Sequence, residues 1–104
     1  MRKTRLPPLG ALRAFHAVAR CRSFKRAADM LGVSATAVSH QINLLESVLE
    51  CRVCERNAMG VSLTDSGEIL YAGTQRAFSA LEEATTQIVR SHQPPSLTVT
   101  TTSN

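Results

Sequence analysis

The amino-acid sequence predicts an all-α fold, in which a three-helix core with a helix-turn-helix and a small β-hairpin wing precedes one long helix. Three observations lead to this prediction. Two short helical patterns meet at Gly32, two β-prone runs follow residue 50, and a helical pattern then continues without a break over residues 64–90. The chain has 104 residues, of which 43% are hydrophobic. That is enough for one small domain with an extension.

The first predicted helix runs from Leu9 to Arg20. Its apolar face consists of Leu12, Phe15, Val18 and Ala19. His16 lies beside this face, and we interpret it as a partly buried structural residue rather than a ligand. Residues 1–8 form a basic arm that ends in two prolines, which can precede a helix but not continue one. We expect the arm to contact phosphate or solvent through Arg2, Lys3 and Arg5.

A helix-turn-helix is predicted over residues 23–49. Ser23 can cap its first helix, whose apolar positions are Phe24, Ala27, Ala28 and Leu31. Gly32 then ends this helix, because the residue just past a helix end often needs a positive φ, which glycine adopts without steric cost. Ser34 is the predicted N-cap of the second helix, which we place at residues 34–48.

The second helix of this motif has two different faces. One is an apolar stripe made of Val38, Ile42, Leu45 and Leu49. The other is small and polar and consists of Ala35, Thr36, Ser39, His40 and Asn43. Short side chains let a helix approach a major groove closely, where their polar atoms can meet base edges and phosphates. A solvated helix face is the alternative. The tight turn and the net charge of +4 favour a recognition helix.

A two-stranded wing is predicted after this helix. Its β-prone runs are Arg52 to Cys54 and Val61 to Leu63, and a turn-rich segment at residues 57–60 separates them. A hairpin in this place can put a basic side chain on a phosphate or into the minor groove, and Arg52 and Arg56 are the candidates. The alternative is a hairpin that only completes the core.

The long helix is predicted from Thr64 to Arg90, with Thr64 as N-cap and two acidic residues, Asp65 and Glu68, in the first turn. It carries an apolar stripe of Leu70, Ala77, Phe78, Leu81, Ala84 and Ile88. So small a domain cannot cover a helix of this length, and we therefore expect the stripe to pair with the same helix of a second subunit. An exposed helix without a partner is the alternative.

Several function classes find no support in the sequence. No apolar run is long enough to span a bilayer, and the first residues lack the apolar core of a signal peptide. Cys51-x-x-Cys54 could be half of a zinc site or a redox pair, but no second pair of ligands accompanies it. No carboxylate, histidine and nucleophile share a recognisable motif. We therefore predict that the chain is not an enzyme and that it binds neither a metal ion nor a cofactor.

The sequence resembles the N-terminal DNA-binding region of the LysR-type transcriptional regulators over about residues 6–90. The matching blocks are LGALRAFHAVARCRSFKRAADMLGVSATAVSHQINLLE, then ER, then VSLTDSG and the long helix. The Leu-Pro-Pro-Leu start and the Ala-Val-Ser-His-Gln-Ile segment are most similar to the subgroup of the glycine-cleavage activator and the β-lactamase regulators. The resemblance implies a winged helix-turn-helix and a linker helix that dimerises it. By motif position, the DNA-facing residues would be Ser34, Ala35, Thr36, Ser39 and His40, with Arg56 in the wing.

From the pattern and the resemblance together, four segments are expected. They are a basic arm (1–8), a DNA-binding domain (9–63), a linker and dimerisation helix (64–90), and a hinge with the first strand of an effector-binding domain (91–104) that the sequence does not contain. The chain would then be a fragment or a truncated product. A small-molecule inducer is expected only for a form that carries the effector domain.

We expect a cytoplasmic bacterial regulator of transcription that binds double-stranded DNA at dyad-symmetric promoter sites. The expected oligomeric state is a homodimer, and a full-length form could be a tetramer. A second class of function would use the same residues. In that alternative, the chain is an interaction module that pairs with full-length regulators through the linker helix and blocks them.

Overall fold

The computed structural model describes residues 6–92, which form helices and one antiparallel hairpin. Their bounds are α1 Leu9–Cys21, α2 Phe24–Leu31, α3 Ala35–Leu49, β1 Cys54–Asn57, β2 Gly60–Leu63 and α4 Asp65–Ser91. This element order confirms the predicted fold class. The expectations for residues 1–5 of the basic arm and for the first strand of an effector-binding domain lie outside the described residues. Ser91, placed in the hinge by the sequence, is the last residue of α4.

The helix boundaries follow from the capping residues that the sequence predicts. The hydroxyl oxygens of Ser23, Ser34 and Thr64 each accept a backbone N–H from three residues ahead, at 3.0–3.1 Å. Each of these bonds satisfies one N–H group that a helix start would otherwise leave without a partner. Gly32 closes α2 with a φ of 72°, as the turn between α2 and α3 requires. These predicted caps are confirmed.

The core forms around α1, which contacts the other three helices and β2. Of its predicted apolar face, Phe15, Val18 and Ala19 are buried and Leu12 is partly buried against the core. The buried stripe of α3 and the segment before the hairpin complete the core, and the largest fully buried side chains are Phe15, Leu45, Val18, Val38 and Val53. The polar face of α3 therefore has to point away from the domain.

The hairpin has a two-residue loop at Ala58 and Met59, and Asn57 pairs with Gly60 across it. The Asn57 side chain accepts the N–H of Met59 at 2.9 Å, which is a common way for asparagine to stabilise a turn. Gly60 closes the loop with a φ of 120°, a conformation that favours glycine. The tip of the wing is thus set by its own sequence.

The first strand does not lie where the sequence predicts it. It begins at Cys54 rather than Arg52, so the predicted run from 52 to 54 is wrong except for its last residue. The backbone groups of residues 52 and 53 are used elsewhere. The Arg52 carbonyl accepts from the Thr64 hydroxyl at 2.7 Å, and the Val53 carbonyl accepts from the Thr64 N–H at 3.1 Å. The start of α4 therefore occupies the place of a partner strand.

The long helix α4 has two halves. Near its start, Leu70 and Tyr71 pack against the core, and Gly67 is buried against the backbone of Val53. From residue 79 to residue 92 every side chain is exposed, so α4 projects beyond the domain. None of the helices within residues 6–92 combines the length and apolar character that crossing a membrane requires.

Candidate nucleic-acid interface

The polar face of α3 is exposed, as the sequence predicts. Ala35, Thr36, His40 and Asn43 are open to solvent, and so is the capping Ser34. Behind them, Val38, Ile42 and Leu45 are buried in the core. A helix held from behind in this way presents a rigid row of short side chains, and its diameter fits the major groove of B-form DNA.

One arginine of the wing is attached to this helix. Arg56, in β1, donates from Nη2 to the hydroxyl oxygen of Ser39 at 2.6 Å. The same guanidinium lies over the ring of Phe24, 3.8 Å from its centroid, where the negative face of the ring attracts the cation. The structure thus brings together Ser39 and Arg56, two predicted site residues that are far apart in sequence.

A second contact joins the wing to α3 two helical turns further on. A carboxylate oxygen of Glu46 accepts the N–H of Val53 at 2.9 Å and, over longer distances, the N–H of Cys54 and Nε of Arg52. The Glu46 side chain is only 13% exposed, whereas Arg52 is 65% exposed. The base of the wing is therefore clamped by a mostly buried carboxylate.

The two contacts border one open cleft of about 610 Å³ between α3 and the wing. Its polar lining consists of Ser39, Asn43, Glu46, Arg52, Glu55 and Arg56. These groups offer hydrogen-bond donors, acceptors and two cations at one edge of α3. The predicted site residues divide accordingly: Ser34, Ala35, Thr36 and His40 lie on the open face, and Ser39, Asn43, Arg52 and Arg56 lie at the cleft.

The two cysteines of the C-x-x-C pattern lie in different surroundings. Cys51 is exposed, and Cys54 is buried in the hairpin. Burial, followed by the charge of Glu46, raises the pKa of the Cys54 thiol, which keeps it in the unreactive protonated form. Within residues 6–92, no group of three or more histidine, cysteine or acidic side chains is arranged to hold a metal ion.

Two residues of the site escape sequence reasoning. Phe24 is predicted only as part of the apolar face of α2, and its role as a platform for Arg56 depends on a strand 32 positions later. Glu46 carries no sequence signal of its own. Its spacing of seven from Ser39 places both on one side of α3, and this is the observation that could have singled it out.

Comparison with known proteins agrees with this geometry. The profile described as "Bacterial regulatory helix-turn-helix protein, lysR family" matches residues 9–68. The chain is 43% identical over 95 residues to the glycine cleavage system transcriptional activator of Escherichia coli K12, covering 91% of this chain and 31% of that protein. It is 41% identical over 92 residues to the transcriptional activator AmpR of Providencia stuartii, covering 88% and 32%. It thus spans about a third of these relatives.

A solved structure provides the same comparison in three dimensions. The DNA-binding domain of BenM, in complex with catB site 1 DNA, superposes with a TM-score of 0.74 at 30% identity. The match covers 84% of this chain and 98% of that domain. The profile match over residues 9–68 contains the helix-turn-helix, the wing and the first turn of α4. From the profile, the relatives and this domain together, the chain belongs to the LysR family of bacterial regulatory helix-turn-helix proteins.

Proposed function

We propose that this chain is the DNA-binding part of a transcriptional regulator and reads promoter DNA by placing α3 in the major groove. The observation that carries the proposal is the exposed polar face of α3 with a wing arginine attached to its edge through Ser39. In this pose Thr36, Ser39 and His40 face base edges, while the wing contacts the phosphate backbone beside them. The role is one of binding, without catalysis, and it would be exercised in the cytoplasm.

The proposal includes a homodimer held by α4. Leu81, Ile88 and Val89 are 53%, 61% and 54% exposed on the projecting half of this helix. Two copies could bury these side chains against each other, at roughly 1.5 to 3 kcal/mol for each one fully buried and before the entropy cost of association. A two-fold axis between the copies would present two recognition helices to two half-sites of inverted sequence.

The test is selection of binding sites from a randomised duplex pool by the 104-residue chain. We expect enrichment of an inverted repeat, and footprinting should show protection of both half-sites. A Ser39→Trp variant should lose specific protection because the bulky ring keeps α3 out of the groove, while its helical content stays unchanged. Thr86→Trp, on the exposed part of α4, is the control. Equal protection by the Ser39→Trp variant at equal concentration, or no enrichment by the wild type, would overturn the proposal.

A second candidate function uses the same exposed half of α4. The chain could act as an interaction module that pairs with a full-length regulator of the family and removes it from DNA. Co-expression with such a regulator from the same bacterium, each with its own tag, separates the two functions. Recovery mainly in mixed dimers, together with no specific DNA binding by the homodimer, would support the interaction module.

A further inference from the structure

We propose that Arg56 is a positioning residue, which sets the base preference of α3 by holding the Ser39 hydroxyl as a hydrogen-bond donor toward DNA. The proposal rests on the DNA-binding function proposed above and goes beyond it. Arg56 then does more than contact a phosphate, and Ser39 recognises one kind of atom on the base edge. The base edge in front of Ser39 should carry an acceptor atom.

The Arg56 guanidinium has a fixed position. Arg56 is held at two points, by the 2.6 Å bond to Ser39 and by the Phe24 ring at 3.8 Å. Phe24 is the first residue of α2 and is half-buried against the core, so it forms a rigid support. The clamp of Glu46 on Val53 fixes the base of the same wing. Arg56 therefore cannot change its contact with α3 without moving off its support.

The Ser39 hydroxyl keeps its proton available for DNA. A serine hydroxyl has one proton to donate and two lone pairs, whereas a guanidinium only donates. The bond from Arg56 therefore uses a lone pair of Ser39 and leaves the hydroxyl proton available. Among residues 6–92, no side chain or backbone carbonyl accepts this proton. Donation by a neighbouring cation also polarises the hydroxyl and makes it a better donor.

A hydroxyl that can only donate matches the acceptor atoms of the major groove. Guanine presents N7 and O6 there, adenine presents N7, and thymine presents O4, all of which are acceptors, while cytosine presents its amino donor. A hydroxyl locked as a donor favours the first three bases and disfavours cytosine at the position it meets. A free serine would select less, because its hydroxyl can turn and accept from the cytosine amino group.

Remaining donors of the Arg56 guanidinium can still contact a phosphate. A phosphate contact alone would predict a different outcome on substitution. Its loss lowers affinity equally on all sequences and reduces the magnitude of the log–log salt slope by about one. A positioning role predicts that the preference among bases changes even when the positive charge is kept.

The experiment uses four proteins: the wild type, Ser39→Ala, Arg56→Lys and the double variant. Each is titrated against the site that the wild type selects from a randomised duplex pool and against its single-base variants. We expect the wild type to discriminate against cytosine at one position by about 2- to 13-fold, the range of a single hydrogen bond. This discrimination should fall to near one in Ser39→Ala and should fall in Arg56→Lys with an unchanged salt slope. The double variant should match Ser39→Ala.

Arg26→Lys, an exposed arginine of α2, is the matched control and should keep the full base preference. Thermal unfolding of each protein shows whether it is folded. If Arg56→Lys is not folded, Arg56→Met replaces it in the experiment. Full base preference in the folded Arg56 variant, or effects of the two substitutions that multiply in the double variant, would overturn the inference alone. A wild type that enriches no sequence would overturn the proposed function as well.

Discussion

Nδ1 of His16 lies 2.9 Å from Oγ1 of Thr74, and this contact joins α1 to α4 across 58 positions of sequence. The Thr74 hydroxyl donates to the carbonyl of Tyr71 at 3.1 Å. Because a hydroxyl has a single proton, Nδ1 of His16 must be the donor of the longer-range bond. The rings of Tyr71 and Phe78 pack on the imidazole, with centroids at 5.5 and 5.1 Å. This cluster confirms a structural histidine beside the face of α1.

The His16 cluster predicts a stability that depends on pH. Burial, and secondarily the positive charge of Arg20, lower the pKa of His16, while Glu82 raises it by a smaller amount. In the unfolded chain His16 therefore binds a proton more readily. Stability should be complete above the usual histidine pKa of about 6.5 and should fall as the pH drops below it. We expect the thermal midpoint of wild type to fall more steeply than that of His16→Gln. Parallel curves would contradict this.

Gly67 and Gly73 form a matched pair within α4. A Cβ at Gly67 would overlap the Val53 carbonyl, whereas a Cβ at Gly73 meets no atom within 4 Å. Gly67→Ala should therefore destabilise the fold by about 1 to 3 kcal/mol through overpacking. Gly73→Ala should stabilise it by roughly 0.5 to 1 kcal/mol through helix propensity. Urea unfolding measures both, and the prediction fails if the two substitutions have the same sign.

The Glu46 clamp predicts a loss of stability that its neighbour Glu55 does not share. Glu46→Ala leaves the N–H groups of Val53 and Cys54 without the acceptor they now have. Hydrogen bonds to a charged group typically contribute about 1.5 to 3 kcal/mol, and the free energy of unfolding should fall by an amount in this range. Glu55→Ala, at an exposed strand position, should change it little. A loss in urea unfolding for Glu46→Ala that is no larger than the loss for Glu55→Ala would contradict a stabilising role of the clamp.

The exposed stripe of α4 predicts a dimer that one charge can split. Leu81→Glu should shift the chain toward monomer and should weaken binding to the full DNA site more than to a single half-site, because a buried charge opposes pairing. Thr86→Glu adds the same charge on the other side of the helix and should leave the dimer intact. Sedimentation of the wild type and the two variants at tens of micromolar measures their oligomeric state. A monomeric wild type would remove α4 as the dimer contact.

Features that depend on near neighbours in sequence could be predicted. The serine and threonine caps and the left-handed Gly32 each act within three or four residues, and all are confirmed. The exposed face of α3 could be predicted equally well. A helical period of 3.6 residues determines which positions turn outward once the apolar stripe is buried. Of the site residues on that face, Ala35, Thr36, His40 and Asn43 are exposed for this reason, while Ser39 is half-buried beside the wing.

Features that depend on pairing between distant segments could not be predicted. The start of β1 is decided by Thr64, which donates to the carbonyls of residues 52 and 53, and by Glu46, which accepts the N–H of Val53. Of the α4 stripe, Leu70 and Phe78 are half-buried within their own chain, although the pattern placed them with a partner subunit. Periodicity shows that a side chain is apolar on one face, but it does not say which surface covers it.

Thr64 joins the base of the wing to the start of α4 through three hydrogen bonds. Its hydroxyl donates to Arg52 and accepts from Gly67, and its N–H donates to Val53. No flexible link separates the base of the wing from the first turn of α4, so the two turn as one piece. At about 1.5 Å per residue, the far end of α4 lies roughly 40 Å from this joint. The helix is then a lever arm, and a small sideways pull at its tip becomes a torque on the wing.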